Sequence, residues 1–215
     1  MEEDIQNDAR KAAKRQRSKV AADDTGLKTG SAGEYLTYTY GKPRKHKKHV
    51  VLVITVDVKR RKLLSADAYI EGRGHSQVKT AVKAIADVRE KGKKIRKFYG
   101  IDAYDTNLIF LSLKEAESAV KIRTNATTYR SRGCRRRRDE IRRYHALGYK
   151  WRGETDYGMR WAVEGFFRMK RKFGEVATAR KPQTLTAEAV QRAWAYDTMA
   201  CYARARTRKG TAGRG

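Results

Sequence analysis

Three places in this 215-residue chain carry carboxylates that could act together: Asp23 with Asp24, Asp102 with Asp105, and Glu164. If two strands were neighbours in one sheet and a helix packed across their ends, these groups would meet in an oxygen-rich site suited to hard cations such as Mg2+ or Mn2+. Two such ions about 4 Å apart activate a hydroxyl and stabilise the leaving oxygen in phosphoryl transfer. The chain has 24 acidic residues, however, and scattered carboxylates also fit solvated charges and turn positions.

Around Glu164 the sequence is more informative. On an ideal helical wheel Tyr157, Arg160, Glu164 and Arg171 fall within about 60° of one another, while Val163, Phe166, Met169 and Phe173 gather on the other side. One face is expected to pack and the other to meet solvent or a ligand. Lys170 points nearer the packed side. A glutamate bracketed by arginines reads either as a surface ion-pair ladder of little energetic weight or as a metal ligand flanked by phosphate-binding groups. Geometry alone leaves both open.

The elements that would position these residues follow from the hydrophobic pattern. Residues 1–18 are charged and poor in large apolar side chains, so they read as a solvated arm. KVAADDTGLK from Lys19 predicts a short strand ending in a turn, and EYLTYTYG from Glu34 a half-buried second strand. After the basic loop KPRKHKK come HVVLVITVDV and LLSADAYI, an antiparallel pair that extends a meander. HSQVKTAVKAIADVREKG predicts a helix that stops at Gly92. KKIRKFYGID then reads as a strand, TNLIFLSLKEAE as a helix capped by Thr106, and AVKIRTN as another short strand. A meander followed by alternating strand and helix implies an α/β fold, a mixed sheet flanked by helices. An arginine-rich stretch within about 126–150 breaks the pattern as a basic insertion. A helical stretch from Trp151, an amphipathic helix from Thr186 and a Gly/Arg-rich tail over 206–215 complete the chain.

Composition narrows the partner. Lys and Arg number 51 against 24 Asp and Glu, and the net charge of +27 points to a polyanion. No run of 18 or more apolar residues exists and residues 1–17 lack the apolar core of a secretory signal, which argues against a membrane and for the cytoplasm, in association with the nucleoid. Cys134 and Cys201 have neither zinc-site nor disulfide-scaffold spacing, and the four histidines show no ligand pattern. Trp151 and Trp161 fit core or lid packing better than stacking on a flipped base.

The segments DDTG, GIDAYD and YGMRWAVEGFFRMKRKFGE resemble the three catalytic motifs of DDE-type insertion-sequence transposases of bacteria and archaea, over about Lys19 to Arg204. The last is the most specific, matching Tyr, two residues, Arg, three residues, Glu at Tyr157, Arg160 and Glu164. The resemblance implies a ribonuclease H-like catalytic domain over 19–205, two Mg2+ or Mn2+ ions held by Asp23, Asp102 and Glu164, and cleavage and joining of transposon ends and target DNA. A homodimer in the DNA complex is compatible with it. Tyr157, Arg160, Lys170 and Arg171 would position phosphates or the glutamate. Arg135, Arg136, Arg137 and Arg138, with Lys42, Arg44, Lys45, Lys47 and Lys48, would hold the DNA backbone.

Three departures stand out. The second motif usually reads Gly-Asp-Gly-Ala-Tyr-Asp, so Ile101 occupies the ligand position unless a shorter turn brings Asp102 to the ions. Arg171 stands where the family has Lys. Only 22 residues precede Asp23, where relatives carry a helical DNA-binding region. These departures keep a second reading in play, a truncated, inactive derivative that only binds nucleic acid. A basic structural RNA-binding protein would explain the charge but not the Tyr, Arg, Glu spacing.

Overall fold

The computed structural model describes residues 17–30, 49–71, 76–129 and 133–212. Strand β1 (Arg17–Thr29) pairs antiparallel with β2 (His49–Asp57), and β2 with β3 (Lys62–Ile70). Helix α1 (Gln77–Glu90) then crosses to β4 (Lys94–Gly100), which runs parallel to β1. A short helix α2 (Asn107–Ser112) leads to β5 (Glu117–Val120), parallel to β4. The sheet order is β3-β2-β1-β4-β5, with the two-residue β6 (Val176–Ala177) beside the far end of β1. This is the mixed, helix-flanked sheet of a ribonuclease H-like fold.

Both faces of the sheet are buried, which is why β2 is apolar without alternation from Val50 to Ile54. Val50, Leu52, Ile54 and Val56 face one core with Ala21 and Tyr99, while Val53 faces a second with Val20, Ala22 and Phe98. The second core is closed by α1, by α2 and by α3 (Arg135–Leu147) through Ile141. The first is closed by short helical turns over 148–173 and by α4 (Pro182–Ala212), through Trp151, Val163, Phe166, Leu185 and Ala189. The α1 start is set by Ser76, whose hydroxyl accepts the Lys79 amide at 3.2 Å, and its end by Gly92 at φ +72°.

Several expectations change. The DDTG segment is not a turn: Asp23, Asp24, Thr25 and Gly26 pair with Ile54, Val53, Leu52 and Val51, so the strand runs straight through them. The arginine-rich stretch contains the ordered helix α3, with Arg137, Glu140 and Ile141 buried. Helix α4 continues through Ala212, into the segment read as a tail. The strand expected from Glu34 and the basic loop after it lie outside the described residues. At the outer edge of the sheet, Asp197 of α4 accepts the Leu63 amide of β3 at 3.1 Å.

Candidate active site

The site lies where β1 and β4 part. β4 pairs with β1 only as far as Ala21, and β6 rejoins the same edge of β1 at Lys28. Between them that edge has no strand partner among the described residues, and Asp23 sits in the gap. Crevices of this kind, at the carboxyl ends of parallel strands, are the usual ligand sites of such sheets.

Alternation along β1 decides which aspartate faces what. Asp23 shares the face of Ala21 and meets the helical turns, where Arg160 donates from its two terminal nitrogens to Asp23 Oδ2 and to Glu164 Oε1. The Asp24 amide donates to Asp23 Oδ1 at 2.9 Å. Burial, only partly offset by that amide and by Arg160, pushes the Asp23 carboxyl up from 3.8 to about 6. Asp24 faces the α1 side, where burial also raises its carboxyl against a hydrogen bond from Gln77.

The segment carrying Glu164 departs from the ideal wheel. Tyr157–Arg160 and Gly165–Arg168 are 3-10 turns, alternating with α turns at Trp161–Glu164 and Met169–Phe173. The tighter winding turns Tyr157 out of the expected polar stripe and into the core, its ring 5.2 Å from that of Trp151. Its hydroxyl is raised chiefly by burial and, less strongly, by the charges of Asp23 and Asp102, against the lowering effect of Arg160. Arg171 is exposed and Lys170 half-buried. Trp151 is a core residue whose indole donates to Glu140 Oε1 at 3.1 Å, and half-exposed Trp161 lies under the Arg61 guanidinium.

The second motif forms a tight turn just past β4. Gly100 is required because a Cβ there would come within 2.9 Å of the Tyr104 ring. Ile101 is extended and packs against the α1-side core. Asp102 opens a 3-10 turn (Asp102–Tyr104); its side chain is 52% exposed and lies 3.8 Å from Lys121 Nζ. Arg123 holds the turn from outside by donating to the carbonyls of Asp102 and Ala103.

Asp105 is fully buried. It takes a fork from Arg137 at 2.6 and 3.0 Å, together with the Arg123 amide at 3.1 Å. Arg137 is thus held in the fold by Asp105, with its side chain 10% exposed. Of its neighbours, Arg136 donates to the Ala116 carbonyl and Arg135 is exposed beside Asp139. Arg138 is half-buried and has a partner of its own. Lys42, Arg44, Lys45, Lys47 and Lys48 lie outside the described residues. Lys121, Arg123 and the Asp105–Arg137 pair were missed in the sequence. The one available signal was the Asp ending the second motif, followed by a run of arginines.

One guanidinium joined to two carboxylates marks the space between them as accepting positive charge, and carboxylate oxygens are the donors hard cations take. Asp23 and Glu164, both bonded to Arg160, offer the oxygen donors that such an ion takes. Asp102 does not stand with them: among the described residues no three Asp, Glu, His or Cys side chains converge closely enough to share an ion.

Fold and crevice define a ribonuclease H-like domain with a carboxylate site at its strand switch point. The family model for the transposase DDE domain matches residues 14–197, and the chain belongs to that family, whose members act on DNA. No curated protein and no solved structure matches it significantly. No described helix is long and apolar enough to cross a membrane.

Proposed function

We propose that the chain is a transposase catalytic domain performing divalent-cation-dependent strand cleavage and strand transfer on DNA, with Asp23 and Glu164 holding Mg2+ or Mn2+ and Asp102 as the third carboxylate. The observation that carries this reading is the Arg160 bridge between Asp23 and Glu164, two residues 141 positions apart brought to one cationic group at the sheet crevice. When bound, the cation activates the attacking hydroxyl and stabilises the leaving oxygen. Arg160, released from the carboxylates, binds non-bridging phosphate oxygens as a fork. Asp102 leaves Lys121, and Lys121 then faces the DNA backbone. Arg123 keeps the Asp102 turn in place throughout. Arg135, Arg136, Arg138, Lys170 and Arg171 add backbone contacts.

The test uses three readouts on the purified chain. Glu164→Gln and Asp102→Asn should each abolish Mn2+-dependent nicking and joining while DNA affinity stays within about twofold. Mn2+ should raise the melting temperature of the wild type by mass action and do so far less in Glu164→Gln. Nicking that survives Glu164→Gln removes the glutamate from the site.

One observation favours a second reading. Ile101 fills the family's ligand position and packs into the core, while Asp102 is exposed and paired with Lys121. On that reading the chain is an inactive derivative that binds nucleic acid. A silent wild type that gains nicking with Ile101→Asp would establish it in place of the first.

A further inference from the structure

At the opposite end of the sheet, where β4 and β5 begin, lies an open groove of ≈ 850 Å³. Its floor is made by Arg89, whose guanidinium is tied to the carbonyls of Ser112 and Leu113 and so joins the ends of α1 and α2. Its rim carries Lys93, Lys94 and Lys114, none of which makes an ion pair among the described residues. The two acids that line it do not balance them. Glu117 is drawn off by Arg96 and Lys97, at 3.9 and 3.7 Å, and only Glu115 remains.

The positive surface extends beyond the groove. Lys93 is held below the ordinary lysine value by burial and, against the attraction of Asp57, by the like charges of Arg60, Lys62 and Lys91, so the β2–β3 turn adjoins this rim. From β2 to β5 the surface crosses three strand spacings, roughly 14 Å. Along a duplex, at one charge per about 1.7 Å with both strands counted, that length carries about eight phosphates, of which about half face one side.

Backbone conformation supplies an independent observation. Lys114 follows α2 at φ +50°, and Arg61 turns the β2–β3 hairpin at φ +49°. Positions of this kind ordinarily take Gly or Asn, because a Cβ crowds the following carbonyl. Of the two, Lys114 lines the groove itself and holds a strained position where glycine would be easier, a feature associated with functional sites, whereas the Arg61 guanidinium is set over the Trp161 ring.

We propose that this groove and its rim are a second binding surface for the phosphate backbone of duplex DNA, separate from the crevice, so that one chain can hold two duplexes at once. The proposal rests on DNA being the partner, as proposed above. Separation follows from β1, since six residue steps, roughly 20 Å of strand, separate Arg17, the partner of Lys94, from Asp23.

The test measures binding of the full chain to a short duplex of arbitrary sequence, by fluorescence anisotropy between roughly 0.05 and 0.3 M salt. The triple variant Lys93→Gln/Lys94→Gln/Lys114→Gln should lower the slope of log affinity against log salt by about 2 to 3 and weaken binding at least about tenfold near 0.15 M. Lys114→Gly should weaken binding while raising the melting temperature, which separates lost contacts from lost folding. With donor- and acceptor-labelled duplexes, the wild type and Glu164→Gln should both show energy transfer and the triple variant should not. An unchanged salt slope, or energy transfer that persists in the triple variant, overturns the proposal. Loss of nicking in Glu164→Gln with energy transfer intact speaks to the crevice alone, so the two readings fail separately.

Discussion

The Asp105–Arg137 pair offers the sharpest test of how the site is supported. Asp105 has no side-chain exposure and Arg137 10%. Replacing Arg137 with Met keeps most of the volume but leaves a buried carboxylate with little beyond the Arg123 amide. Removing one partner of a buried, forked pair costs about 3–5 kcal/mol, because the desolvation of the remaining charge is no longer offset. For a chain of this length each kcal/mol shifts the melting temperature by about 2–4 °C, so Arg137→Met should melt about 6–20 °C lower. Asp105→Asn should fall in the same direction. The double variant should be far less destabilised than the sum, since neither charge is then stranded. Urea unfolding at neutral pH gives all three free energies, and DNA binding well below the melt should be nearly unchanged in Arg137→Met. Single losses under about 1 kcal/mol, strict additivity, or a large loss of DNA affinity in the folded variant would refute the assignment of Arg137 to the fold.

Other outcomes follow from individual contacts. The folded state holds a proton on Asp23 more tightly than the unfolded chain, so its contribution is present in full below about pH 4 and is lost as pH rises to about 6. Asp23→Asn should accordingly stabilise the cation-free protein at pH 7 by about 1–3 kcal/mol in chemical denaturation and remove the fall across that window. Gly100→Ala should cost about 1–3 kcal/mol, since the new methyl meets the Tyr104 and Phe98 rings at 2.9 and 3.1 Å. Trp151→Phe should cost about 1–3 kcal/mol by taking the indole donor from the buried Glu140 carboxylate, which then keeps Arg143 at 4.0 Å, read as a lower urea midpoint.

Much of the fold was legible because β-branched runs and helix caps are local signals. HVVLVITVDV and LLSADAYI pair as their pattern requires, and Thr106 caps the helix that follows it. What sequence could not convey was context from distant residues. DDTG looks like a turn, yet pairing with β2 keeps it extended. Arg137 looks like surface charge until Asp105, 32 residues away, is seen to receive it. The 100° wheel puts Arg160 and Glu164 on one stripe, as their ion pair requires, but misplaces Tyr157, because the 3-10 turns, one of which carries Tyr157 against Trp151, do not follow that angle. For Asp102, the turn after Gly100 does relax the strand alternation, but the side chain it frees turns to Lys121.

The contact between Asp197 and the Leu63 amide has a consequence for solubility. Among the described residues β3 is the outermost strand of its side of the sheet, and an uncovered outer strand is a template on which another chain can add its own. Helix α4 lies along it and satisfies one of its outward amides with a carboxylate that is itself 4% exposed. A strand arriving from a neighbouring molecule would have to displace a helix and strand a buried charge. Helix α4 thus acts as a guard against fibril-like growth, in a protein whose net charge of +27 already sets copies against one another.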